Sequence, residues 1–277
     1  MTDYQKLLFP YAYNILGSSE DARDAIQEVI FRFTAKKLTP DDQKNYLIRG
    51  VINESINLKK KKSRIHETDN WLPEPIATDK SDLALELNEL VSYSILILLE
   101  KLNPKERAVF ILKEAFAYTH PEIAEVLSVS VEASRKLLSR AHQKIGQPAK
   151  AAIKRQEHAD VLEKFVSAIQ NKDLDRLHDI LSDDIAFTAD GGDKVQVLKK
   201  YCKGKVQVAD LLLLVYQTYQ TDYTIAGTWI NHHPALIYSY KGKVMTCQVF
   251  HIGDNSQIIS INTVVDPDKL KNLSVNG

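Results

Sequence analysis

Two hydrophobic periods divide the chain of 277 residues. From Tyr4 to about Ile145, apolar residues recur mostly at every third or fourth position, which is the spacing of one α-helical face. From Thr224 to Val265, β-branched and aromatic residues form short runs separated by glycine, proline and asparagine, which predicts a meander of strands. The pattern therefore predicts an all-helical front and an α+β rear.

The helical front is interrupted by a stretch with few periodic apolar positions at Thr68–Ser81. Its two prolines exclude a regular helix, so we interpret the stretch as a linker between two helical domains. Behind it, Asp82–Leu102 is predicted to form an apolar helix, and Lys105–Ala115 a second helix that begins after a first-turn proline. A further helix at Ala151–Gln170 leads into the rear domain.

The sharpest local signal lies at residues 119–145. Thr119 and Glu122 have the spacing of a capping box, and Ser128-Val129-Ser130 forms a short turn from which Ser130 can cap the next helix. Four cations project from that helix, as in a recognition helix of the DNA major groove: Arg135, Lys136, Arg140 and Lys144. An ordinary amphipathic hairpin is the alternative, because basic helices are common and Ser128 replaces the usual turn glycine.

A second basic segment runs from Arg49 to Arg64 and holds six cations and one acid. Tyr46–Leu58 has helical spacing and leads into four lysines, so the helix ends in positive charge that favours phosphate. The cations are Arg49, Lys59, Lys60, Lys61, Lys62 and Arg64. Upstream, Ser18–Val29 predicts a capped helix with an acidic face, for which a solvated surface helix is the alternative. Any binding of nucleic acid must be local, because the chain has 36 basic and 36 acidic residues.

In this order the three features resemble the extracytoplasmic-function sigma factors of bacterial RNA polymerase. The resemblance implies that the acidic helix binds the clamp of the largest polymerase subunit through Asp21, Asp24, Gln27 and Glu28. The basic helix is similar to the one that melts and reads the promoter just upstream of the start site, with Asn53 and the basic end touching DNA. The helix-turn-helix resembles the domain that reads the farther-upstream promoter element and meets the flap of the second-largest subunit.

Three further motifs resemble one subgroup, in which a SnoaL-like domain is fused behind the sigma domains. The linker motif is Trp71, Leu72, Pro73, Glu74 and Pro75. The second motif has Asp190, Gly191, Gly192 and Lys194, with Asp193 where the subgroup has glycine, and the tail motif has Pro267, Asp268, Lys269 and Leu270, with Asp266 where the subgroup has asparagine. The resemblance implies that these residues mediate regulatory contacts in cis.

The resemblance also implies a division of the chain. The predicted segments are a polymerase- and promoter-binding domain at 1–66, a linker at 67–82, a helix-turn-helix domain at 83–148, a SnoaL-like regulatory domain at 149–266 and a tail at 267–277. The rear domain, read as helix, helix, strand, helix and then strands, predicts a cone-shaped α+β fold around a pocket. Its possible catalytic bases are Asp190, His232, His233 and His251. A ligand-sensing or protein-binding role is the stronger expectation.

The expected partners are core RNA polymerase and promoter DNA, and the free protein is expected to be monomeric. We expect no catalysis and no cofactor, and no metal because Cys202 and Cys247 lack metal-binding spacing. No signal peptide or membrane-spanning run is apparent, which predicts a cytoplasmic protein. Two alternatives stay open: a stand-alone helix-turn-helix regulator with a ligand-binding domain, and a small-molecule enzyme with a helical appendage.

Overall fold

A computed structural model describes residues 3–35, 43–62, 71–79, 89–146 and 155–274. The chain divides into two compact units. The first consists of Met1–Thr68 and Ser81–Ala149, and the second of Asp69–Lys80 and Lys150–Gly277. The segment interpreted as a linker therefore folds with the rear domain, although first-unit residues flank it in sequence.

The first unit is helical throughout its described secondary structure. Its helices are α1 (Asp3–Leu16), α2 (Ser19–Ala35), α3 (Gln43–Lys62), α4 (Tyr93–Leu99), α5 (Pro104–Glu114), α6 (His120–Leu127) and α7 (Val131–Ile145). The first three pack against one another through buried apolar side chains such as Leu8, Ile26 and Ile52. α5 packs on α1, α3 and α7, so the two helical regions share one core.

The helix predicted at Asp82–Leu102 is shorter than expected. Residues 80–88 lie outside the described part of the chain, and the helix begins only at Tyr93. Val91, two residues earlier, donates its backbone N–H to Oδ1 of the buried Asn14 at 3.1 Å. A tertiary hydrogen bond thus satisfies this N–H outside the helical ladder, which apolar periodicity alone does not reveal.

The helix-turn-helix prediction is confirmed in its local details. The Thr119 hydroxyl accepts a hydrogen bond from the Glu122 backbone N–H, while the Glu122 carboxylate accepts from the Thr119 backbone N–H at 2.7 Å. Ser130 caps α7 by accepting from the Ala133 backbone N–H at 3.0 Å. Ser128 ends α6 with a φ of 52°, so it takes the left-handed conformation that glycine usually supplies at this position.

The second unit is an α+β domain, as predicted. Its elements are α8 (Arg155–Asn171), α9 (Leu174–Ile180), β1 (Leu181–Asp190), β2 (Tyr201–Lys203), α10 (Lys205–Val215), β3 (Thr224–Ile230), β4 (His233–Tyr240), β5 (Lys243–Ile252), β6 (Ile258–Val264) and α11 (Pro267–Leu270). The strand order in the sheet is β2-β1-β6-β5-β4-β3, and only β1 and β6 are paired in parallel. α10 continues into one π-helical turn at Tyr216–Gln220.

One face of this sheet packs against the helices that precede β1. Phe165 of α8 meets Phe250 of β5 edge to face, with ring centroids 5.0 Å apart. Cys202 and Cys247 are both buried thiols. In the described residues, no helix combines the length and apolar character needed to cross a bilayer.

Candidate functional site

The acidic helix α2 exposes three of the four side chains in its predicted polymerase-binding pattern. These are Asp24, Gln27 and Glu28. Glu28 is ion-paired with Arg32 one turn later, at 2.7 Å. Asp21 is only 14% exposed, because its carboxylate lies 2.6 Å from the ammonium of Lys62 at the end of α3. One acid of the pattern is thus already paired with a cation predicted to bind DNA.

Two polar side chains of α3 hydrogen-bond the C-terminal end of α6, where the helix-turn-helix turns. The Asn53 side-chain amide donates to the Val126 carbonyl at 2.9 Å, and the Arg49 guanidinium donates to the Ser128 hydroxyl at 3.0 Å. The Asn53 amide also donates to the Arg49 carbonyl one turn earlier in α3. We call these hydrogen bonds the α3–turn contact. It occupies residues that the sequence predicts to meet promoter DNA.

A groove of about 350 Å³ lies between α2 and α3. The helices approach closely at Gly50, where an added Cβ would meet the side chain of Val29 at 2.8 Å. The polar and aromatic residues that line the groove are Arg32, Tyr46, Arg49 and Asn53. Guanidinium groups, an amide and an exposed aromatic ring are the groups on which proteins hold unstacked bases.

The first lysine of the basic cluster points into the protein. Lys59 Nζ lies 2.8 Å from the Glu100 carboxylate, which also binds the fully buried Arg107 guanidinium. Arg107 in turn donates through Nε to the Asn14 carbonyl at 2.9 Å. Burial and the charge of Arg107 lower the pKa of Lys59 to about 8. Lys59 therefore belongs to an interior ion network, and not to the exposed phosphate-binding surface that its position in sequence suggested.

Glu100 is the anion on which this network depends. Burial alone would raise its pKa, but the nearby charges of Arg107 and Lys59 outweigh burial and hold the pKa below its ordinary value. The carboxylate is therefore ionised at neutral pH between two cations. Because Lys59 lies on α3 while Glu100 and Arg107 lie on or next to α4 and α5, the network joins the two helical regions.

The three lysines that follow Lys59 lie at the C-terminal end of α3. Lys60 is half-buried, while Lys61 and Lys62 are exposed. Arg64 lies outside the described residues. Lys61 and Lys62 thus retain the accessibility that phosphate binding needs, although Lys62 is paired with Asp21 in this arrangement.

The four predicted cations of the recognition helix α7 are all exposed, but they differ in their partners: Arg135, Lys136, Arg140 and Lys144. Lys136 is ion-paired with Glu132 one turn earlier, but both side chains are largely exposed and the pair contributes little stability. Lys144 differs, because its ammonium lies 2.6 Å from the buried Glu106 carboxylate and so ties α7 to α5. Lys144 is thus held by a partner within the protein.

A buried ion pair joins the linker motif to the rear domain. The Asp190 carboxylate lies 2.6 Å from Lys269 Nζ and accepts the Leu72 backbone N–H at 2.7 Å. Lys269 also donates to the Leu72 carbonyl at 2.7 Å, and its ammonium lies 4.3 Å from the centroid of the Trp71 ring. One motif from each of three distant parts of the sequence therefore meets here. We call this set of contacts the linker dock.

The rest of the linker motif is buried on the same domain. Pro73 and Pro75 are buried, and Glu74 accepts a hydrogen bond from Asn272 at 2.8 Å. Beyond the motif, Ile76 and Asn231 exchange hydrogen bonds of 3.0 and 2.9 Å. The segment ends against β3, one of the two edge strands of the sheet, with a single antiparallel bridge. The linker thus adds a short strand-like segment to an open sheet edge.

The glycines of the second motif are required by close approach. A Cβ at Gly191 would meet the Val195 carbonyl oxygen at 1.9 Å. Gly192 has a φ of 58°, and a Cβ there would meet the Asp266 carboxylate at 2.4 Å. Asp266 caps α11 by accepting the Asp268 backbone N–H, a role that asparagine also fills, so this departure from the subgroup is conservative. Lys194 pairs with Asp268 at 2.7 Å on the surface.

A cavity of about 320 Å³ opens within the rear domain, on the side where α10 faces the sheet. The residues considered as catalytic bases do not line it: Asp190, His232, His233 and His251. Asp190 is engaged in the linker dock. The rings of His233 and His251 meet edge to face at 5.4 Å, and burial together with the neighbouring His251 lowers the pKa of His233 to about 4. The candidates therefore do not converge on the cavity.

Sequence patterns missed several residues that organise these sites. Glu100 and Arg107 had no predicted role, yet they form the interior ion network. Asn231 read only as a strand breaker, yet its side chain holds the linker. An arginine directly before the apolar run that starts at Ala108 was the one available signal, since a buried arginine requires a paired anion.

Comparisons with known proteins give consistent results. The chain matches the Sigma-70 region 2 family over residues 1–65 and the Sigma-70, region 4 family over residues 94–145. It is 31% identical over 222 residues to the ECF RNA polymerase sigma factor SigJ of Mycobacterium tuberculosis, covering 76% of this chain and 70% of the relative. It is 28% identical over 203 residues to a probable ECF RNA polymerase sigma factor, SigI, of the same organism, covering 70% of each chain.

Among solved structures, the crystal structure of Mycobacterium tuberculosis SigJ resembles this chain with a TM-score of 0.76. The match covers 97% of this chain and 96% of that chain, at 24% sequence identity. At that identity the likeness establishes a shared fold, in which helical regions are followed by a sheet with helices.

Proposed function

The chain belongs to the extracytoplasmic-function sigma factors of RNA polymerase, and from that premise we propose how its surfaces divide the work of initiation. As a sigma factor it associates with the core polymerase and directs it to promoters. The enzyme it joins carries out the chemistry, and the sigma factor supplies the selection of start sites. Its working place is the cytoplasm, where that enzyme acts.

The exposed side chains of α2 bind the polymerase clamp. Asp24, Gln27 and Glu28 project from neighbouring turns, so they form one polar, acidic stripe. Glu28 is held by Arg32 through an exposed ion pair that a cationic partner surface displaces at little cost. Asp21 joins the stripe only after Lys62 turns away, which would happen when Lys62 meets phosphate. The flap of the second-largest subunit meets the helix-turn-helix region.

The groove between α2 and α3 binds unstacked bases of the promoter, and α7 binds the farther-upstream duplex. Tyr46 is 38% exposed and offers a stacking surface, while Arg49 and Asn53 offer hydrogen-bond donors beside it. Arg135 and Arg140 of α7 then donate to base edges or phosphates in the major groove. Lys61 and Lys62 add phosphate contacts that do not depend on sequence.

The observation that carries the proposal for regulation is the α3–turn contact. Asn53 and Arg49 donate to Val126 and Ser128, so each of the two DNA-reading regions covers part of the other. DNA and the contact therefore compete for the same donors. We interpret the compact first unit as a closed state that must open on the polymerase.

The rear domain acts on this equilibrium through the linker. Between Lys62 and Tyr93 the chain has roughly 30 residues, which span up to about 100 Å when extended. The linker dock removes Trp71–Asp79 from this reach by fixing the segment to the rear domain. Holding the linker therefore favours the closed state, and releasing it lets the two DNA-reading regions separate.

Run-off transcription with purified core polymerase on genomic fragments tests the division of surfaces. We expect Asn53→Ala, and the double variant Arg135→Ala/Arg140→Ala, to lose promoter-directed transcripts while still binding the core enzyme. The triple variant Asp24→Ala/Gln27→Ala/Glu28→Ala should instead lose binding to the core enzyme. Lys105→Ala, an exposed lysine of α5, is the matched control and should leave both unchanged.

The closed state is tested by a distance measurement within the first unit. Spin labels at Asn57→Cys and Glu125→Cys, two exposed positions on α3 and α6, report the separation of the helical regions, because Cys202 and Cys247 are buried. We expect one short distance in the free protein and a longer one with core enzyme and promoter. An unchanged distance would rule out the closed state. Failure to bind core polymerase at any salt concentration would favour the stand-alone regulator.

A further inference from the structure

The cavity of the rear domain has the size and lining of a small-molecule site. Its volume of about 320 Å³ lies near the lower limit of the roughly 300–1,000 Å³ that such sites occupy. Most of the lining is aliphatic or aromatic and includes Ile169, Phe187, Leu212, Val215, Tyr223 and Val244. An apolar body is therefore the main part of any ligand that fits.

The wall formed by the sheet carries one hydroxyl that lacks a partner. Thr263 of β6 is only 6% exposed, and its Oγ1 has no hydrogen-bond partner within the described part of the protein. Its neighbour across the sheet, Gln248, accepts a hydrogen bond from the Tyr238 hydroxyl at 2.8 Å, and both also line the cavity. A buried hydroxyl without a partner is costly, so it favours a ligand with a polar atom at its buried end.

The open side of the cavity is cationic. Among the described residues that line it, Lys199 and Lys243 are the charged ones, and both are exposed. Neither shows an ion pair with another described side chain. Their ammonium groups therefore mark the mouth of the cavity as a place where an anionic group is favoured. An apolar acid meets both requirements, with its carboxylate at the mouth and its body within.

The tail helix α11 separates the cavity from the linker dock. Pro267 and Leu270, three residues apart on one face, line the cavity. Lys269, between them in sequence, binds Asp190 and the linker at Leu72. A four-residue helix has few internal hydrogen bonds to resist displacement, so a ligand that presses on Leu270 also moves the ammonium that holds the linker.

We infer that this cavity binds an amphipathic organic acid with a second polar group at its buried end, and that occupancy weakens the linker dock through α11. The binding step is independent of the sigma-factor role. The regulatory consequence, release of the linker and opening of the first unit, rests on the proposed function. The two parts therefore need separate measurements.

Calorimetry on the full chain with three matched probes tests binding without polymerase. The first probe, 10-hydroxydecanoate, has both the carboxylate and the terminal hydroxyl. Decanoate lacks the hydroxyl, and 1,10-decanediol lacks the charge. We expect one-to-one binding of the first probe, with the other two about five- to tenfold weaker. Equal binding of decanoate overturns the role of the buried hydroxyl, and equal binding of the diol overturns the role of the lysines. No binding of any probe up to about 1 mM overturns the site.

Three variants place the probe in the cavity. Thr263→Val should reduce the preference for 10-hydroxydecanoate over decanoate to about one, and Lys199→Gln/Lys243→Gln should bring the acids down to the affinity of the diol. Leu211→Trp, at a half-buried lining position, fills the cavity and should abolish binding. None of the substituted residues belongs to the linker dock, and the thermal transition of each variant checks that it is folded. Binding that survives Leu211→Trp in a folded chain contradicts the assignment.

Fluorescence tests the coupling to the linker. The chain has two tryptophans, so Trp229→Phe leaves Trp71 as the only reporter of the linker dock. We expect saturating 10-hydroxydecanoate to shift the Trp71 emission to longer wavelength, as the ring loses Lys269 and meets water. Binding without such a shift overturns the coupling and leaves the site intact. Transcription assays then address the regulatory consequence separately, since a sigma factor that failed them could still pass both binding tests.

Discussion

Two sets of contacts each contain buried, paired charges. One set joins the two helical regions of the first unit, and the other is the linker dock. They differ in the other groups that take part. In the first unit, Lys59 and Arg107 bind Glu100, and the adjacent α3–turn contact adds Arg49 and Asn53. The linker dock instead joins Asp190 and Lys269 to backbone atoms of the linker, without any residue that is proposed to touch DNA.

This difference separates two kinds of control. Under the proposed function, promoter DNA competes directly with the α3–turn contact, because both need the donors of Arg49 and Asn53. DNA does not compete for the charged groups of the linker dock, because Asp190 and Lys269 pair with each other. The linker dock therefore persists until something within the rear domain changes it. The proposal therefore predicts that full opening requires two successive events, one at the rear domain and one at the promoter.

Removing the anion of the first network should give the largest effect. Glu100→Gln leaves the fully buried Arg107 guanidinium without an opposite charge, so we expect the free energy of unfolding of the first unit to fall by about 3 kcal/mol. Urea unfolding followed by circular dichroism checks this, provided that the two units are analysed as separate transitions. The transition of the second unit should stay in place.

The matched control for this change is Glu28→Gln. Glu28 also pairs with an arginine, but both side chains are about half exposed, so the expected loss is below about 1 kcal/mol. If the two substitutions had equal effects, the interior network would not be what holds the helical regions together. The comparison between the two contacts would then rest on the α3–turn hydrogen bonds alone.

Breaking the ion pair of the linker dock should have a smaller and more local effect. Lys269→Met keeps an unbranched side chain over Trp71 but leaves the buried Asp190 carboxylate unpaired. We expect the backbone amide of Leu72 to exchange hydrogen about 100-fold faster, because it donates to the Asp190 carboxylate that Lys269 holds in place. Hydrogen exchange with mass spectrometry measures this.

Lys194→Met is the control for the linker dock. Lys194 pairs with Asp268 on the same motif, yet both side chains are about 60% exposed, so its loss should leave linker exchange unchanged. Faster exchange in both variants would mean that surface charge on α11 holds the linker. Unchanged exchange in both would mean that the β3 edge alone holds it.

Acid should affect the stability of the two units differently. Burial and the neighbouring His251 lower the pKa of His233 from 6.5 to about 4, so the unfolded chain binds a proton below pH 6.5 that the folded second unit excludes. Stability is therefore complete above pH 6.5 and falls as the pH drops toward 4, by about 2–3 kcal/mol for this histidine. The lowered pKa of His251 adds to the same trend.

His233→Leu tests this assignment. The variant should flatten the decline in second-unit stability between pH 6.5 and 4, as measured by thermal unfolding at successive pH values. The charges of His158 and His232, when protonated, also disfavour protonation of His233. Removing His233 should therefore make the second unit more stable in acid. A decline that keeps its slope in the variant would assign the acid sensitivity to other residues.

The extent to which sequence predicted these sites follows from how local each signal is. The helix-turn-helix was predictable to the residue because its caps involve partners three positions apart, such as Thr119 and Glu122. The three motifs of the rear domain could be identified, but that Lys269 reaches Leu72 depends on strands that bring distant segments together. Lys59 illustrates the opposite case, since four identical lysines in a row do not reveal which one faces the interior.

The smallest predicted effect concerns the turn between α6 and α7, which forms one side of the α3–turn contact. Ser128 has a φ of 52°, so Ser128→Gly should relieve a left-handed strain of about 0.5–1 kcal/mol while losing the exposed hydrogen bond from Arg49. Ser128→Ala loses the same hydrogen bond but keeps the Cβ. We expect the glycine variant to be about 1 kcal/mol more stable than the alanine variant in urea unfolding.

Both variants remove one of the two partners that the turn offers to α3, so they should respond alike in promoter binding despite their different stabilities. Each should free Arg49 and raise affinity for promoter DNA about two- to threefold in complexes with core polymerase, since a single exposed hydrogen bond contributes little. If affinity instead followed stability, with glycine and alanine moving in opposite directions, the turn would act through the rigidity of the helix-turn-helix. Competition for Arg49 would then not explain how promoter DNA displaces the α3–turn contact.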